Sequence, residues 1–166
     1  MAQGTLISRS FDITAADFRF TNFGDDDPSV VVSPARIRFS VSFDDSADID
    51  ATTTGLVIDS FNLPNYSARY AYNSASDFLV VATNPFANKS CYHPNPYDFC
   101  FFVDDVGSSN PVATLFVQTT SKGGVWSARA IRLTWTSRVP EPATLTLMGL
   151  GLAGIGYRRH RSMKTA

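Results

Sequence analysis

Between Arg36 and Phe43 the chain alternates strictly, with apolar Ile37, Phe39, Val41 and Phe43 set between polar Arg36, Arg38, Ser40 and Ser42. Successive side chains of an extended strand point to opposite faces, so this period of two describes one buried face and one wet face. The same pattern returns at Tyr66–Tyr72, through Tyr66, Ala68, Tyr70 and Tyr72, and at Ile131–Trp135, through Ile131, Leu133 and Trp135. Leu6–Ile13, Phe18–Phe23, Leu56–Leu63, Phe78–Thr83, Phe99–Val106 and Val112–Thr119 are further strand candidates. Between them stand turn sequences: Asp25-Asp26-Asp27-Pro28, Asp44-Asp45-Ser46, Leu63-Pro64-Asn65, Asn84-Pro85, Gly107 to Pro111, and Lys122-Gly123-Gly124.

Short strands separated by turns at this spacing predict an all-β body, an antiparallel β-sandwich of jelly-roll or Ig-like type over residues 4–137, with a closed barrel as the competing architecture. Composition agrees. Only 17% of the 166 residues are charged, the single Glu is Glu141, and Lys occurs three times, which is poor material for solvated helix faces. In their place stand 18 Ser, 15 Thr and 13 Phe, which suit strands and turns. No internal repeat supports a propeller or solenoid.

Charge is divided unevenly. Residues 1–138 carry ten Lys or Arg against fourteen Asp, net −4, while residues 139–166 carry Arg158, Arg159, Arg161 and Lys164 against Glu141, net +3. Between the acidic body and the basic end runs Ala143 to Tyr157, centred on Leu150, fifteen residues without a charge. As a helix this run spans about 22 Å, short of a hydrocarbon core of about 30 Å, and the basic residues behind it act as a stop. The positive-inside rule keeps Arg158, Arg159 and Arg161 cytoplasmic and places the body outside. Pro140 and Pro142 each remove a backbone donor, and Pro142 restricts Glu141 to extended conformations, so Val139–Pro142 is expected to be an open stretch that fits a protease cleft.

In this order, Pro140-Glu141-Pro142, an apolar helix over Ala143–Tyr157 and a basic stop resemble the PEP-CTERM sorting signal of Gram-negative bacteria that make extracellular polysaccharide. The resemblance covers residues 139–161. It implies that exosortase, a membrane-embedded cysteine protease-transpeptidase, recognises the Pro-Glu-Pro element and removes the tail. Glu141 is then a recognition residue. Before processing the chain is expected to sit in the inner membrane by a single span with its C-terminus cytoplasmic, and afterwards at the cell surface or outside the cell. Extracellular polysaccharide is the further partner the resemblance suggests.

An exported chain needs a signal peptide, and Met1-Ala-Gln-Gly-Thr-Leu has no basic region followed by an apolar stretch. The expectation is that such a signal lies upstream of Met1. With Met1 as the true start, the C-terminal run would insert as a tail anchor and the acidic body would stay cytoplasmic.

Cys91 and Cys100 enclose the loop CYHPNPYDFC, and an even pair in an exported chain reads as a disulfide stapling a long hairpin loop. The rival is a metal site of Cys91, His93, Asp98 and Cys100, whose spacing matches no zinc pattern. Asp25–Asp27, Asp44-Asp45, Asp48 with Asp50, and Asp104-Asp105 are oxygen-rich, but none forms the D-x-D-x-D-G calcium loop. Two histidines, His93 and His160, and no G-x-S-x-G, H-E-x-x-H or phosphate-loop signature leave no catalytic constellation to name. No catalytic residue, metal or cofactor is assigned. A net charge of −1 gives no footprint for nucleic acid. The expectation is a non-catalytic structural or adhesive surface protein. The alternative is a carbohydrate- or calcium-dependent binding module, in which Tyr66, Tyr70, Tyr72, Tyr92, Tyr97, Trp126 or Trp135 would stack on sugar rings.

Overall fold

The structure, a computed structural model, describes residues 6–21, 31–64, 67–86, 90–91 and 95–137. Among these residues there are eleven strands and no helix. In chain order they are β1 (Leu6–Phe20), β2 (Ala35–Asp44), β3 (Ile49–Thr52), β4 (Leu56–Phe61), β5 (Arg69–Asn73), β6 (Phe78–Ala82), β7 (Pro85–Phe86), β8 (Ser90–Cys91), β9 (Phe99–Asp104), β10 (Val112–Thr119) and β11 (Val125–Ser137).

Nine strands form one antiparallel sheet in the order β3-β5-β6-β9-β10-β11-β1-β2-β4, and β7 pairs with β8 separately. The sheet curls on itself, so that β11, β1, β2 and β4 face β5, β6, β9 and β10 across a shared core. The body is all-β and antiparallel, as expected, but in place of the two separate sheets of a jelly-roll or Ig-like sandwich it has one curled sheet, whose ladder is continuous through β10 and β11. The junction is narrow: β10 and β11 pair only from Val117 to Thr119 against Val125 to Ser127, after which β11 runs on beside β1 alone. That short overlap lets the sheet turn its corner without a break.

A column of rings fills the core. Phe11 meets Phe39 at 5.2 Å, Phe39 meets Phe101 at 5.4 Å, and Phe101 meets Phe116 at 5.6 Å, joining β1 and β2 to β9 and β10 across the layers. Phe61 against Phe99 at 4.9 Å and Phe43 against Tyr72 at 4.6 Å extend the packing toward the two ends. Offset and tilted aromatic pairs of this kind each add about 0.5–1.5 kcal/mol beyond the area they bury.

The alternation seen at Arg36–Phe43 is the inward and outward register of β2: Ile37, Phe39, Val41 and Phe43 are buried, and Arg36, Arg38 and Ser42 are exposed. Leu6–Ile13 and Phe18–Phe23, expected as two strands, belong to one fifteen-residue strand as far as Phe20. Inward positions are Ile7, Arg9, Phe11, Ile13 and Ala15, then Phe18, so the phase changes once, at Asp17, whose φ of 52° is left-handed. Across the ladder Asp17 stands opposite Arg129, where β11 makes the same change, from Trp126 and Ala128 to Ile131, Leu133 and Trp135. A pattern that shifts by one residue in both partners preserves the pairing while imitating a break in the sequence.

The loop between β6 and β9 carries β7 and β8 onto the outer face of the sheet. β6 is therefore buried on both sides: Leu79 and Val81 face the main core, and Phe78, Val80 and Ala82 join Cys100 in a second apolar cluster with Cys91 and Phe102. Gly55 makes the tight passage from β3 to β4, with φ of 82° and its carbonyl accepting from the Ser42 N–H at 2.9 Å. Any Cβ at Gly55 would lie 2.2 Å from the Ser42 carbonyl oxygen.

Candidate functional site

β11 ends at Ser137, paired with Arg9 of β1, three residues before Pro140. At no more than about 3.6 Å per residue, the Pro-Glu-Pro element starts within about 11 Å of the end of the sheet. Residues Pro140, Glu141 and Pro142, the run Ala143 through Leu150 to Tyr157, and Arg158, Arg159 and Arg161 lie outside the described residues.

Three turns close this end of the body. Asp48, between β2 and β3, accepts from the Ser74 N–H and hydroxyl, each at 2.8 Å, and these bonds hold its carboxyl below the usual range. Asp44 is lowered by hydrogen bonding from Ser46, whose N–H donates at 2.8 Å. Asp77, between β5 and β6, accepts the Gly107 N–H at 2.9 Å and the Tyr72 hydroxyl at 3.1 Å. Burial, then the charge of Asp77, pushes the Tyr72 hydroxyl well above the ordinary tyrosine range.

Arg9 points inward at this end, although only 9% of it is exposed. Its guanidinium lies 4.5 Å from the Trp135 ring centre and donates through Nη2 to the Gly107 carbonyl at 2.8 Å. Burial lowers its pKa and the Asp77 charge works the other way. Nη1 has no hydrogen-bond partner among the described residues. An arginine at an inward position of an alternating strand, between Ile7 and Phe11, is a signal the sequence offered and periodicity alone passed over.

Cys91 and Cys100 form a disulfide with Cα atoms 6.2 Å apart. Its sulfurs are thereby unavailable as thiolate ligands, which removes the metal alternative built on Cys91, His93, Asp98 and Cys100. Among the described residues no group of three His, Cys, Asp or Glu side chains is placed to hold a metal. Asp98 is buried and caps its own loop, its Oδ2 accepting from the Asn95 N–H at 3.0 Å.

Four of the seven aromatic residues considered for sugar stacking are placed in or against the core. Tyr70 and Tyr72 are buried, and Trp126 and Trp135 pack against the core. Tyr97 is exposed, while Tyr66 and Tyr92 lie outside the described residues. Apart from Leu6 at the start of β1 and Ala130 on β11, the exposed residues of β11, β1 and β2 are polar. Arg38 donates to Asp12 Oδ2 at 2.7 Å, Ser10 and Ser40 hydroxyls meet at 2.9 Å, and a shallow depression of about 190 Å³ is lined by Ser10, Asp12, Arg38, Thr134 and Thr136 together with Phe11 and Trp135.

Fold and chain order thus define an all-β body joined without a spacer to a C-terminal processing element. Residues 138–161 match the PEP-CTERM protein-sorting motif, and the chain carries that motif. The motif supports exosortase-dependent sorting to the cell surface or extracellular space. No curated protein and no solved structure matches the chain.

Proposed function

We propose that this chain is a non-catalytic structural or adhesive protein, displayed by its sorting signal at the cell surface or in the surrounding matrix. The observation that carries this reading is the placement of the motif directly behind the last strand of a curled, stapled β body. A disulfide that pins a loop over its own apolar cluster suits an oxidising compartment. The grouped aspartates of the β2–β3 turn serve as turn caps, which favours structure over calcium chemistry there. Before processing, the run Ala143–Tyr157 holds the chain in the inner membrane with Arg158, Arg159 and Arg161 on the cytoplasmic side.

The test is mass spectrometry of both termini of the native protein in cells with and without the processing protease. The expected C-terminus lies near Pro142 with the protease and at Ala166 without it, and Glu141→Ala is expected to accumulate the long form. Retention of residues 143–166 in both strains would make the segment a plain anchor and overturn the proposal.

A further inference from the structure

The last part of β11 has a neighbour on one side only. Residues 131–137 pair without a break with residues 15–9 of β1, while the ladder to β10 stops at Ser127. Among the described residues no strand takes the other side, and no backbone hydrogen bond reaches it from a loop. The open side shows in burial. On β1, Ala15, Ile13 and Phe11 are buried, yet their ladder partners Ile131, Leu133 and Trp135 pack against the same core and stay partly exposed. Inward apolar side chains on an unpaired length of strand form a template for one strand more. The two ends of the sheet are protected in ways this stretch lacks: β3 has four residues, and β4 carries a bulge at Asp59. Neither bulge nor proline interrupts residues 131–137, and Arg132 is their single charge.

We propose that a second copy of this chain pairs here, β11 against β11 in antiparallel order about a twofold axis at Leu133. A strand added in the plane of the sheet must set inward residues against inward ones, so the axis passes through a residue; an axis between two residues would set each apolar side chain against a polar one. An axis at Arg132 would put the two Arg132 side chains directly opposite each other, a like-charge pair that destabilises a sheet. An axis at Ile131 runs the partner into the stretch already paired with β10, and axes at Thr134 or beyond leave Ile131 without an apolar partner. At Leu133 the inward row closes: Leu133 meets Leu133, and Ile131 meets Trp135 twice, a β-branched side chain against an aromatic one. On the outer face Arg132 falls opposite the partner's Thr134, whose ladder neighbour on β1 is Asp12. Each Arg132 then lies two strands, about 10 Å at the backbone, from a carboxylate. Shape and charge on this edge are thus complementary to the edge itself. Pairing through it stands on the body alone and does not depend on sorting.

The experiment follows the full chain in detergent micelles by sedimentation velocity over a wide range of concentration, where a monomer–dimer equilibrium is expected. T134R sets a second positive charge opposite Arg132 at two symmetric points and is expected to weaken the dimer about fivefold. T134E, at the same exposed position, is expected to strengthen it by a similar factor, and R132E/T134R, which exchanges the signs, to recover what T134R loses. L133C is expected to form a disulfide-linked dimer under mild oxidation, and S42C, exposed on β2, none. Leu133 packs against the core, so the exposed-site variants carry the test if L133C fails to fold. In hydrogen exchange, the amides of residues 131–137 that are not bonded to β1 are expected to gain protection as concentration rises. A monomer at every concentration overturns the proposal. So does association that T134R and T134E leave unchanged or move in the same direction, which would place the contact on the apolar tail or on another edge. Protection of residues 131–137 that is equal in the monomer assigns the open side to a segment of the same chain and also overturns it.

Discussion

Cutting the single cross-link isolates what the loop between β6 and β9 contributes. Cys91→Ala is the appropriate perturbation, because Cys100 is fully buried and its thiol still fills its place in the apolar cluster, whereas Cys91 is only half-buried. The bond closes ten residues, and the chain-entropy relation gives about 2.7 kcal/mol for a loop of that length. With an unfolding entropy of about 2.1 cal/mol/K per residue, a body of this size should lose about 10 °C in Tm. Thermal melts followed by circular dichroism of the full chain in detergent measure this, with and without dithiothreitol. Wild type with reductant should melt with oxidised Cys91→Ala, and the variant itself should ignore reductant. The variant should also bind more of an apolar dye, since Phe78, Val80 and Phe102 lie under the released segment. A Tm within about 2 °C of wild type would refute the idea that the constraint acts on the unfolded chain.

Gly55→Ala should cost at least about 1–3 kcal/mol from the left-handed backbone alone, and the approach to the Ser42 carbonyl adds to it. An unchanged urea midpoint would contradict that. For acid stability the signs are set by Asp48 and Asp44, whose folded pKa values lie below the ordinary 3.8. Their contribution is complete above that value and is lost as pH falls through the depressed ones. Asp48→Asn should therefore be less stable than wild type at neutral pH, with the gap closing below about pH 4. Melts from pH 2 to 7 check it, and a gap independent of pH would show that charge is not the cause.

Much of the fold was legible because burial on one face writes itself into a strand as alternation. Arg36–Phe43 and Val112–Thr119 became β2 and β10, and Phe78–Thr83 and Phe99–Val106 each held a strand a residue or two shorter. β1 was misread as two strands because the phase changes at Asp17, a left-handed residue that no alternation count can see. β3, β7 and β8 were not anticipated: at four residues or fewer they have too little length for a period. The Pro-Glu-Pro element was the most readable feature of all, since a sorting motif is written in residues adjacent in the chain. The inward Arg9, by contrast, is accommodated by Gly107 and Trp135, 98 and 126 residues away, and nothing local announces them.

The sequence by itself determined the strand-rich chemistry, the cysteine pair, the acidic body and the sorting motif, because each depends on residues close together in the chain. Only the tertiary structure decided that the sheet is continuous through β10 and β11, that Tyr70 and Tyr72 are core residues, and that β11 runs on beside β1 alone after Ser127. Those facts depend on which strands become neighbours, and neighbours are chosen by the burial of both faces at once. No local window contains that choice.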